Sequence, residues 1–151
     1  MTRTEQKFRI PSRRLRRGNR NQQSRRGVAA VEFAIVAPLF FLLVLGCIEL
    51  GRALMVQQIL TNASRTGARV AVTLSGTEAS AVAAASDFAA GASVGGIDVT
   101  VTPNPTSASA GDMVSVTVTV PFADVTWIPA PWFMGGKTLT ATSVMRKEGF
   151  E

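Results

Sequence analysis

Residues 28–48 form a run of 21 residues with a single charge, Glu32, and that run most constrains what the chain folds into. About 20 apolar residues cross a bilayer as one helix, so the run reads as a single transmembrane crossing. From Phe33 to Ile48 it is uncharged: FAIVAPLFFLLVLGCI. Pro38 lies inside it, and membrane helices tolerate proline where the freed carbonyls find other partners. A removable secretory signal fits less well. Its small-residue cleavage site follows a shorter apolar core. Here the small residues Val28, Ala29 and Ala30 precede the core, and Glu49 to Arg52 follow it. A carboxylate inside such a segment is costly, so Glu32 needs a reason.

The charge is unevenly placed. Ten of the 16 Lys and Arg residues lie in residues 1–27, with one acid, Glu5. Beyond Gly27 six basic residues face nine acids, so the net charge of +6 belongs to the tail. A basic arm of this kind either binds phosphates of a nucleic acid or fixes membrane topology. The apolar run follows at once, and Phe8 is the tail's single aromatic, which leaves little for base stacking. The topological reading is therefore preferred: residues 1–27 stay cytoplasmic and touch anionic lipid headgroups.

Helical patterning continues past the membrane edge. Val56, Ile59, Leu60, Ala63, Gly67, Val70, Ala71 and Leu74 form one apolar stripe. Gln57, Gln58, Thr61, Asn62, Ser64, Arg65 and Arg69 lie off it. One helix from about Val28 to Leu74 is the simplest reading, and two helices broken near Gly51 the alternative. Ser75-Gly76-Thr77 stops the pattern. Thr77 with Glu78 then opens an alanine-rich second helix, with Val82, Ala85, Phe88 and Ala89 as its apolar face. Gly91, Gly95 and Gly96 end it.

Three alternating runs follow. Ile97, Val99 and Val101 alternate with Asp98, Thr100 and Thr102. Val114, Val116, Val118 and Val120 alternate with Ser115, Thr117 and Thr119. Leu139, Ala141 and Met145 point opposite to Thr138, Thr140 and Thr142. Period two with β-branched residues predicts half-buried strands. The fold class is therefore α+β: a long N-terminal transmembrane and amphipathic helix, a second short helix and a small three-stranded antiparallel sheet. The expected parts are a basic leader over 1–27, a membrane helix over 28–48, its amphipathic continuation over 49–74 and an α+β domain over 75–151. The link from Pro121 to Lys137 carries Phe122, Trp127, Trp132 and Phe133. These aromatics either cover the open end of the sheet or present a contact surface.

Little of the sequence points to catalysis. There is no histidine, which excludes His-based triads and His metal sites within the chain. Cys47, the one cysteine, falls in the apolar helix and reads as a small buried residue. Gly91, Gly95 and Gly96 lack the lysine and the strand-to-helix context of a phosphate loop. Asp87, Asp98, Asp112 and Asp124 are scattered near turns, with no spacing that singles out a catalytic pair. The chain reads as a structural or assembly protein with no cofactor, no metal, no small-molecule substrate and no nucleic acid.

The string RRGVAAVEFAIVAPLFFLLVLGCIELGRAL resembles the start of a TadE-like protein, a minor pilin or pseudopilin of the tight-adherence (Flp) type IV pilus. SRTGARVA and LTATSVMRKE resemble that family too. The resemblance implies a pilin-like fold and a cut by a prepilin peptidase between Gly27 and Val28. It also implies assembly roles for Glu32 and Phe33, and partners among other pilins, pseudopilins and the pilus assembly machinery. The implied location is the bacterial inner membrane, single-pass, with the N-terminus cytoplasmic and the C-terminal domain periplasmic or carried into a pilus. After such a cut Val28 carries a new ammonium group. Glu32, four residues on, shares its helical face and is placed to pair with that amine in the same or a neighbouring subunit. The alternative is an unprocessed single-span protein whose periplasmic domain binds a partner of a secretion or envelope complex.

Overall fold

The structure is a computed structural model and describes residues 20–127 and 136–149, with side chains from residue 27 onward. The chain divides at Phe41/Leu42 into two units. Its elements are helix α1 (Arg20–Ala71), helix α2 (Glu78–Gly91), strands β1 (Asp98–Thr102) and β2 (Met113–Pro121), a short helix α3 (Phe122–Val125) and strand β3 (Thr138–Arg146). Apart from α3, which lies in what reads as a link between strands, the order and classes match the sequence reading.

Helix α1 is continuous through Gly51, so the two-helix alternative falls. It begins upstream of the expected Val28, because Asn, Gln, Ser and Arg carry helix without a breaker. It ends at Ala71, short of the expected Leu74, which lies exposed beyond it. The stop is steric and electrostatic. The chain folds back so tightly that a Cβ on Gly76 would lie 2.6 Å from the Ala71 carbonyl oxygen, closer still to that of Val70. The buried Lys147 ammonium donates to the carbonyls of Thr73 at 2.7 Å and Ala71 at 3.3 Å. A cation there satisfies carbonyls that the helix leaves open and complements its dipole.

Thr77 caps α2 as expected. Its hydroxyl accepts from the Ser80 amide at 3.1 Å, while the Ser80 hydroxyl accepts from the Thr77 amide at 3.0 Å, a reciprocal capping box. The buried face of α2 is Ala81, Ala85 and Ala89, a smaller ridge than the one expected, and Phe88 is exposed. Small residues let α2 lie close to α1. At Gly67 a Cβ would sit 3.0 Å from the Ala81 carbonyl oxygen and 3.2 Å from both Ala85 Cβ and Val116 Cγ1. Gly67→Val is therefore expected to cost about 1–3 kcal/mol by overpacking. Gly51→Ala, where nothing lies within 4 Å, should gain up to about 1 kcal/mol from helix propensity. Thermal unfolding of the two variants in detergent checks the opposite signs.

The sheet is antiparallel in the order β1-β2-β3. Val118 of the central strand lies opposite Val99 on one side and Ala141 on the other. Val114, Val116, Val118 and Val120 are all fully buried. The other face carries Thr100, Thr117 and Thr142 in one row, with the hydroxyls of Thr117 and Thr142 2.9 Å apart. Period two thus separates a valine face, which packs in the core with Val56, Leu60 and Ala63 of α1, from a threonine face.

Helix α1 and strand β3 run in the same direction. The Gln57 amide donates to the Thr140 carbonyl at 2.9 Å, and the Ser64 and Ser143 hydroxyls lie 2.8 Å apart. Seven helical residues and three strand residues both rise about 10 Å, so the two ladders stay in step. Ser64 was expected off the apolar stripe. It is fully buried because Ser143 and the Thr61 carbonyl satisfy its hydroxyl. Of the Pro121–Lys137 link, Phe122 is fully buried beside β2 and covers the core, whereas Trp127 is exposed. Trp132 and Phe133 lie outside the described residues.

Candidate functional site

The apolar surface of α1 is on display. Val28, Val31, Phe33, Ile35 and Leu39 are all more than half exposed, Phe33 at 72%. Phe40 and Phe41 meet edge to face, with ring centroids 6.0 Å apart. The helix from Gly27 onward is long and apolar enough to cross a membrane, which fits a single-pass membrane protein. Cys47, expected to be buried, is exposed on this helix.

The residues of the proposed processing point all lie in the helical part of this segment. Among the described residues nothing lies within 4 Å of where a Cβ on Gly27 would sit, so packing against them does not require a glycine there. Val28 and Glu32 stand one turn apart on the same face, both exposed. The helix therefore brings together the atoms that would flank a new N-terminus. Among the described residues nothing pairs with the Glu32 carboxylate.

A second polar group stands where the apolar run ends, and sequence reasoning did not assemble it. Glu49 is only 3% exposed, and its Oε1 has no hydrogen-bond partner. Arg52, 9% exposed, donates from Nε to the Val125 carbonyl at 2.8 Å and from Nη1 to the Met55 sulfur at 3.6 Å. Its guanidinium lies 4.8 Å from the centre of the Trp127 ring, within cation–π range. Two charges just past a membrane run, with a tryptophan in a later link, were the available signal. The contact joins residues far apart in sequence, so no local pattern reveals it.

The remaining acids are dispersed. Asp87, Asp98, Asp112 and Asp124 are each exposed, and Asp112 accepts from the Ser109 amide at 2.8 Å, which is turn chemistry. Glu78 accepts from the Asn104 side chain at 3.0 Å and ties α2 to the loop after β1.

The family model for TadE-like proteins matches residues 27–69, from Gly27 to the last turn of α1. No curated protein and no solved structure matches the chain. A membrane-length helix carries the matched segment and an α+β order of elements follows it, so residues 27–69 of this chain are similar to TadE-like proteins.

Proposed function

We propose that this chain is a TadE-like pseudopilin, or minor pilin, cut between Gly27 and Val28 by a prepilin peptidase and used in assembly of a tight-adherence (Flp) pilus. The observation that carries the reading is Glu32: an exposed carboxylate on an otherwise apolar helical surface, one turn after Val28. A lone charge in lipid costs several kcal/mol by most measures, about 2.5–3.5 for an acid at a helix centre on insertion scales. An ammonium group created at Val28 of a neighbouring subunit removes most of that cost and sets the axial register between helices. Phe33, beside it, fills the apolar contact that the pair aligns. The free space at Gly27 supports a requirement imposed from outside the chain, by the enzyme that reads the junction.

Under this reading residues 1–27 are a cytoplasmic leader, 28–48 the membrane helix, 49–74 its amphipathic continuation and 75–151 the extracytoplasmic domain. The inner membrane holds the subunit, lipid surrounds it before assembly, and other pilins replace lipid afterwards. Mass spectrometry of the membrane-extracted protein from cells with an active peptidase tests the cut. The expected N-terminus is Val28, and Gly27→Leu should leave the chain uncut. An intact N-terminus in the unmodified protein under those conditions overturns the reading and leaves an unprocessed single-span protein.

A further inference from the structure

The Arg52–Trp127 pair stands one helical turn past the end of the apolar run. Four residues separate Ile48 from Arg52, about 6 Å of helix. The headgroup layer on each side of a bilayer is about 5–8 Å deep, so Arg52 and whatever it holds fall within that layer. What it holds is displayed outward: Trp127 is 69% exposed while Arg52 beneath it is nearly buried. An arrangement made only for water would show the charge and hide the ring. Phe122, in the same link, shows that the core can take an aromatic, since it is fully buried.

Neighbouring residues fit the same level. Leu50, Leu54 and Met55 are exposed beyond Ile48, whereas the acid Glu49 is turned out of reach. Asp124 on α3 is exposed close by in sequence, so the surface is not a basic patch and has no special attraction for anionic lipid. Tryptophan favours this layer because its ring is apolar and its N–H finds a partner among the headgroups. We infer that Trp127, held in place by Arg52, is an interfacial anchor that seats residues 42–151 on the phospholipid headgroup layer where α1 leaves the membrane. The inference rests on the single-span reading of α1. Arg52 sets the ring's position through two separate contacts, the Val125 carbonyl and the ring face, which a lysine cannot reproduce together.

The test uses the full chain reconstituted in phosphatidylcholine/phosphatidylethanolamine vesicles, with lipids brominated either near the headgroup or near the chain end. Trp132→Phe leaves Trp127 as the one fluorophore. The difference between the unmodified protein and Trp127→Phe gives the same signal without altering Trp132. Quenching of Trp127 should be about two-fold stronger by the shallow bromines than by the deep ones and unchanged at high salt. Arg52→Gln and Arg52→Lys should both reduce that contrast. Protein that floats with the vesicles but shows no quenching of Trp127 overturns the anchor while sparing the membrane helix. Emission that follows protein density rather than bromination also overturns it, because a second copy then covers the ring. Protein that fails to float removes the single-span reading and the anchor together.

Discussion

Glu32→Ala is expected to leave cleavage after Gly27 near its normal extent and to reduce piliation by roughly thirty-fold, the equivalent of about 2 kcal/mol per subunit contact. That energy is the low end for truncating one member of a buried charge pair. The sign of a second effect separates this from a general defect. For a lone subunit in lipid, alanine removes an expensive carboxylate, so membrane insertion should improve. Under the proposed pairing, assembly should fall nonetheless, because the Val28 amine of a neighbour would lose its partner. Glu32→Gln keeps the size and a hydrogen bond but not the charge, and should fall between. Immunoblots of the membrane fraction report cleavage and insertion, and electron microscopy of sheared and cell-bound fibres reports assembly. Normal piliation in Glu32→Ala would sink the pairing argument.

Val118→Asp should abolish the folded sheet. Val118 is fully buried, with Val99 and Ala141 on either side in the register of the three strands. A carboxylate there loses water and meets only apolar neighbours, a loss of at least 4–5 kcal/mol. Domains of this size hold about 5–15 kcal/mol in total, so little or no folded population should remain. Thr100→Asp, on the opposite and exposed face of β1, should cost within about 0.5 kcal/mol. Thermal scans and limited proteolysis of the detergent-solubilised chain compare the two. Equal tolerance of both would mean that the valine face is not the core.

Different parts of the molecule were legible to different degrees, for physical reasons. The valines of β2 and the Thr77 cap were legible because each signal is local: a period of two, and a hydroxyl three residues from the amide it caps. The end of α1 was misread by three residues because its stop is made by Gly76 and by Lys147, which is distant in sequence. Ser64 was misplaced for the same reason, since its partner Ser143 lies on another element. Glu49 and Arg52 looked like a polar edge after the membrane run. That one is hidden and the other holds Trp127 depends on the chain returning past Val125. Gly27, Val28, Glu32 and Phe33 come from the resemblance of one contiguous junction to TadE-like proteins, and their roles stand as the proposal made above.

Lys147 has a consequence for the order in which this protein is completed. Its ammonium takes the Ala71 and Thr73 carbonyls, and the Glu148 amide donates to the Val72 carbonyl at 2.9 Å. A ribosome delivers those three carbonyls long before it delivers the residues that satisfy them. The growing chain therefore carries an unfinished helix end until Lys147 and Glu148 emerge, and β3, which completes the sheet, arrives just before them. Closure of that helix end is thus tied to the emergence of β3 and the two residues after it. A chain released before Lys147 retains α1 but lacks the contacts that hold its last turn beside the end of β3.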